Sequence, residues 1–145
     1  MQAMSAAALV TELRATVLAA RNPDGGWGYA SGKTSRIEPT AWALLALARA
    51  DGRPVEVDRL AKWPKDGPWL TDMAGAPINY AFNALAALTL RAHGSGTLIA
   101  EDLARRLVEV RGRRFDQAPA LRQDNSLQAW PWIDGTFSWV EPTSW

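Results

Sequence analysis

The chain has 145 residues, about one domain's length, with a formal net charge of +1, one histidine and no cysteine. That balance gives no pull toward nucleic acid, excludes disulfides and thiolate metal sites, and with His93 alone rules against a histidine zinc site within the chain. No apolar run approaches the roughly 20 residues of a transmembrane helix, and the N-terminus lacks the basic start and apolar core of a signal peptide. The expectation is therefore a cytoplasmic protein with no metal and no cofactor, with peripheral contact to a membrane surface left open.

Residues 5–20 place Leu9, Leu13 and Val17 on one stripe, which predicts an amphipathic helix. A glycine-rich loop follows and closes on Glu38-Pro39-Thr40. Proline suits a first helical turn, where its missing N–H is not needed, and an acid just before it can cap the helix. Residues 41–48 are then apolar all round, which predicts a helix buried on every side. A shorter amphipathic piece covers about 55–63 and ends at Pro64. After a second loop, with Pro77 as a substitute helix starter, residues 80–90 form another dry helix, interrupted by Asn83 and Thr89. Residues 98–112 are amphipathic, with Ile99, Leu103, Leu107 and Val110 on one face. Glu101–Arg105, Asp102–Arg106 and Glu109–Arg113 are spaced as i,i+4 pairs on the other. Those acids offset much of the basic cluster Arg105, Arg106, Arg111, Arg113 and Arg114, which reads as a solvated face.

The chain writes one segment twice. Slid by 103 positions, residues 22–42 and 125–145 agree at eight of 21 positions, including Trp27/Trp130, Glu38/Glu141, Pro39/Pro142, Thr40/Thr143 and Trp42/Trp145. A weaker copy lies at 66–88, where Trp69 answers Trp27 and Phe82 answers Trp42, giving a loop two residues shorter. A repeated supersecondary unit implies an array whose units share one core. The whole of 1–145 reads as a single partial domain with repeats at about 5–50, 55–93 and 98–145.

NPDGGWGY followed by TAWALLALA, AWPWIDGTFSWVEPTSW and, more loosely, DGPW resemble the repeats of the squalene–hopene cyclase and prenyltransferase superfamily. Arg21 stands where the family's repeat begins with Gln. The resemblance implies an all-α fold, an α/α toroid of antiparallel helix pairs in inner and outer rings. This chain would supply an incomplete arc of about two and a half pairs. The family's catalytic signatures are missing: there is no Asp-Asp pair, no Asp-rich magnesium motif and no cysteine. Only the scaffold carries over, and a scaffold does not define a reaction.

The candidate residues divide into two groups. Trp27, Glu38, Pro39, Trp69, Trp130, Glu141 and Pro142 are read as structural parts of the repeat joint. Trp42, Asn79, Tyr80, Phe82, Asn83 and Trp145 are candidates to line a cavity, where aromatic faces can stabilise a carbocation. The plainer alternatives stay open: helix packing for the aromatics, and backbone hydrogen bonds for the asparagines. The functional expectation is a terpene-cyclase-like parent protein that acts on or binds an isoprenoid or triterpene lipid. The 145 residues alone would not catalyse. The alternative is a non-catalytic repeat scaffold for lipid or protein. Two dry inner helices need cover, from further repeats, a second copy or another protein.

Overall fold

A computed structural model describes residues 5–48, 57–94 and 96–110. The described part is all-α apart from one two-residue strand pair. Its elements are α1 (Ala6–Ala19), α2 (Ile37–Ala48), α3 (Asp58–Ala61), β1 (Lys65–Asp66), β2 (Trp69–Leu70), α4 (Tyr80–Ala92) and α5 (Thr97–Glu109). The third repeat beyond residue 110, with Trp130, Glu141, Pro142 and Trp145, lies outside the described residues.

The two dry helices form the centre. Thr89 Oγ1 reaches the Ala41 carbonyl at 3.4 Å, and His93 Nε2 reaches the Leu44 carbonyl at 2.9 Å. The contacts advance along both helices in the same sense, so α2 and α4 run parallel, side by side. A carbonyl can only accept, so His93 carries its proton on Nε2. Short α3 touches both central helices, and α5 packs against α4. Ile37, Leu44, Leu47, Leu60, Leu70, Leu90 and Leu103 are buried in one core shared by these helices and the second loop. The described residues thus form an all-α fold in which the two dry helices pack side by side, without a closed ring.

Helix α1 is the least engaged element. It lies antiparallel to α2: Arg14 donates to the Leu47 carbonyl in the last turn of α2, and Trp27, joined to the start of α2, donates its indole N–H to the Val17 carbonyl. A cation is favourable at that helix end. The expected buried stripe is only partly buried. Val17 packs on the core, whereas Leu9 and Leu13 are exposed.

The strand pair is a tight hairpin that the sequence pattern does not announce. Asp66 pairs with Trp69 across Gly67-Pro68. Gly67 takes φ +54°, as the first position of such a turn requires, and Pro68 holds the second at negative φ.

Candidate functional site

The loop–helix joint is the most elaborately built part of the molecule. In the first repeat, Thr40 Oγ1 accepts from the Trp27 N–H at 2.9 Å and donates to the Trp27 carbonyl at 3.2 Å. One side chain on the first turns of α2 thus clasps both backbone groups of a loop residue. In the second repeat, Asn83 Oδ1 accepts from the Leu70 N–H at 2.9 Å, and Asn83 Nδ2 donates to the Leu70 carbonyl at 2.9 Å. Both clasps span 13 residues. Helices α2 and α4 begin 43 residues apart, and Trp27/Leu70 and Thr40/Asn83 keep the same interval.

This register corrects the aromatic alignment. Trp27 answers Leu70 rather than Trp69, and Trp42 answers Leu85 rather than Phe82. The two loops are equally long between clasp and helix. Pro77 does not start α4 either. Asn79 does, as its N-cap, with its side chain accepting from the Phe82 N–H at 2.9 Å.

Asn79 and Asn83 therefore serve the backbone. Asn83 is fully buried, and its second amide proton goes to the Asn79 carbonyl at 2.8 Å. It has no polar group left for a cavity. Tyr80 is half-buried with its ring edge-on to Trp69, centroids 5.3 Å apart, and Phe82 packs partly against the core. Of the described cavity candidates, Trp42 alone is largely open, at 57% exposure on α2.

Glu38 does not cap α2. Its Oε2 accepts from the Tyr29 hydroxyl at 2.6 Å. Partial burial of that hydroxyl, together with the bond to Glu38, pushes the Tyr29 phenol above its ordinary value, although the ring stays exposed. The cap comes from the next repeat: Asp72 Oδ1 accepts from the Ile37 N–H at 2.9 Å, and Oδ2 takes Arg36 at 2.8 Å. The Asp72 carbonyl in turn accepts the buried indole N–H of Trp63.

Trp27 is buried at the heart of the first loop, with Arg21 over its ring at 5.4 Å. Asp24 gathers the turn. It accepts from the Gly26 N–H and the Ser35 hydroxyl and pairs with Arg59, whose guanidinium lies 4.4 Å over Trp63. The Ser35 hydrogen bond is the largest effect and holds the Asp24 carboxyl below the usual range; burial, the next largest, opposes it, and Gly26 and Arg59 add smaller lowering effects. Backbones approach so closely here that a Cβ on Gly28 would lie 2.5 Å from the Lys33 carbonyl oxygen.

A groove of about 430 Å³ lies between α4 and α5, with Ala84, Ala87, Leu88, Ala100, Ala104 and Leu107 along it. On the outer face of α5, Asp102 pairs with Arg106 as its spacing predicts. Arg105 pairs with Asp102 and Glu109 and not with Glu101. Among the described residues no cluster of acids and histidine could hold a metal ion, and no helix is long and apolar enough to cross a membrane.

Sequence reasoning placed Thr40 in the Glu-Pro-Thr joint but missed its clasp on Trp27, and it missed Asp72, Trp63 and Arg59 as joint residues. The equal spacing of the clasps was its one available signal, hidden because Thr and Asn perform the same task.

Set against known proteins, the chain is 38% identical over 92 residues to a drimenyl diphosphate synthase of Streptomyces showdoensis. The similarity covers 59% of this chain and spans 17% of that protein's length. No family model matches the chain. No solved structure matches it either.

Proposed function

We propose that the chain is a repeat segment of a terpene-cyclase-type protein and that it supplies scaffold and apolar wall for an isoprenoid. The similarity to a drimenyl diphosphate synthase carries this reading. The repeated joint supports it, because the same loop–helix unit resembles the squalene–hopene cyclase repeat. The face of Trp42, open on an otherwise dry helix, offers the contact that an alkene or a developing carbocation favours.

The described acids of the repeat joints have other work. Asp24 is held below the usual range, the reverse of what a neutral proton donor needs. Asp72 is spent on a helix start, and Glu38 on Tyr29. The protonating acid of such an enzyme is therefore assigned to parts outside the described residues.

The test is titration of the purified chain with squalene and with a prenyl diphosphate, read by tryptophan fluorescence and by product analysis. Saturable quenching without turnover is expected. Trp42→Ala should weaken binding roughly 3- to 10-fold, the value of one aromatic contact. Absence of saturable binding to both ligands would refute the isoprenoid reading and leave the protein-scaffold alternative.

A further inference from the structure

We infer that Glu38, held by Tyr29, makes the Trp42 surface of α2 a site for an organic ammonium group, seated between the Glu38 carboxylate and the indole face. The inference rests on the reading of Trp42 as a ligand contact and adds the charge of what it contacts.

Glu38 is the acid that the joint does not use. Asp72 caps the start of α2 and takes the neighbouring Arg36 at 2.8 Å, so neither the helix start nor that guanidinium engages Glu38. Its one bond comes from the Tyr29 hydroxyl to Oε2, at 2.6 Å. A carboxylate accepts on both oxygens, and Oε1 has no partner among the described residues. The second repeat builds its joint without this group. In the 43-residue register between α2 and α4, Ala81 and Leu85 stand in place of Glu38 and Trp42, and Leu85 is buried.

The surroundings supply what a cation needs. Two aromatic side chains, Tyr29 at 64% and Trp42 at 57% exposure, are open to solvent on this surface. Glu38 and Trp42 lie one turn apart on one face of α2. Helical side chains lean toward the N-terminus, so the indole covers the turn that carries Glu38. Tyr29 reaches the same carboxylate from the loop, and its hydroxyl, by fixing one oxygen, sets the direction of the other. Tyr29 is thus a positioning residue. An ammonium group is attracted by an aromatic face within about 6 Å of the ring centre, and a carboxylate beside that face adds an opposite charge. A metal ion is a poor match, because among the described residues no cluster of acids and histidine could hold one. The set is also written twice in the sequence. In the copy at 125–145, Trp132, Glu141 and Trp145 occupy the positions of Tyr29, Glu38 and Trp42.

The experiment titrates the full chain with choline and with 3,3-dimethylbutan-1-ol, a neutral molecule of the same shape. It follows the indole N–H resonance of Trp42, assigned through Trp42→Phe. The expected result is a saturable shift with choline, and binding of the alcohol about 3- to 30-fold weaker. Glu38→Gln keeps the shape and removes the charge. It should weaken choline about 2- to 5-fold and leave the alcohol unchanged. Tyr29→Phe should give a smaller loss for choline and none for the alcohol, a split that a merely loosened loop would not produce. Equal binding of choline and the alcohol would overturn the inference. So would an unchanged choline affinity in folded Glu38→Gln, or no shift with choline at all. Squalene, which is neutral, decides the isoprenoid reading separately. Squalene binding without a preference for choline keeps that reading and ends this one, and choline binding that depends on Glu38, with neither isoprenoid bound, does the reverse.

Discussion

Replacing Asn83 by leucine keeps the side chain's shape and deletes its polar atoms. The cost follows from where Leu70 points. In the hairpin Asp66 pairs with Trp69, and the Thr71 N–H donates to the Pro64 carbonyl at 2.9 Å. Leu70, between them, is opposite Lys65 at a non-bonded position, so its N–H and C=O turn away from β1. Asn83 meets both, and Leu70 is fully buried. The Asn79 carbonyl keeps the Asn83 backbone N–H at 3.1 Å and loses little. Two stranded backbone groups at about 1–3 kcal/mol each, offset by about 1–2 kcal/mol from the added apolar burial, leave a loss of about 2–3 kcal/mol. That is a large share of a typical domain's stability of about 5–15 kcal/mol. Asn83→Thr should cost only about 1 kcal/mol, since a hydroxyl both donates and accepts and performs this role at Thr40. Urea unfolding followed by tryptophan fluorescence measures both variants. If the threonine variant is no more stable than the leucine variant, or the leucine variant loses less than about 0.5 kcal/mol, the equivalence of the two clasps is wrong.

Other outcomes follow from the same joints. Asp72→Ala should cost about 1–2 kcal/mol by uncapping α2 from a distance, visible as a lower urea midpoint. Gly28→Ala should destabilise more than Gly32→Ala in the same assay: the first drives a Cβ into the Lys33 carbonyl, the second meets open space and bears only the strain of φ +71°. The folded-state pKa of Asp24 lies below its unfolded value, so its contribution is present above that value and lost as pH falls through the acid range. Asp24→Asn should flatten that limb of a stability–pH profile. Tyr29 is shifted the other way. Its contribution is complete below the ordinary phenol value and lost as pH rises beyond it, so Tyr29→Phe should flatten the alkaline limb.

Much of the architecture was legible because burial writes itself into composition. The dry runs at 41–48 and 80–90 became α2 and α4, and the amphipathic run at 98–112 became α5, ending among the described residues at Glu109. The register between repeats was harder. Tryptophan and phenylalanine are conspicuous, so alignment followed them, whereas the chain aligns on two buried polar side chains of different type. The cap on α2 was not readable at all. Asp72 lies 35 residues beyond the N–H it serves, and no local pattern links them. Glu38 sat where a cap belongs but found Tyr29 within closer reach. Leu9 and Leu13 show the opposite failure: periodicity marks an apolar face, and it does not name what lies against that face.

The loan of Asp72 to the preceding repeat also sets an order in time. A ribosome finishes α2 well before it makes the residue that closes the start of that helix. At roughly 5–20 residues per second the delay is about 1–5 s. For that interval the N-terminus of α2 lacks its cap, and chaperones can reach it. The first unit is therefore completed by its successor, so its folding finishes only after part of the second has been made. Excising a middle unit from the gene would damage the fold of the unit before it as well as its own.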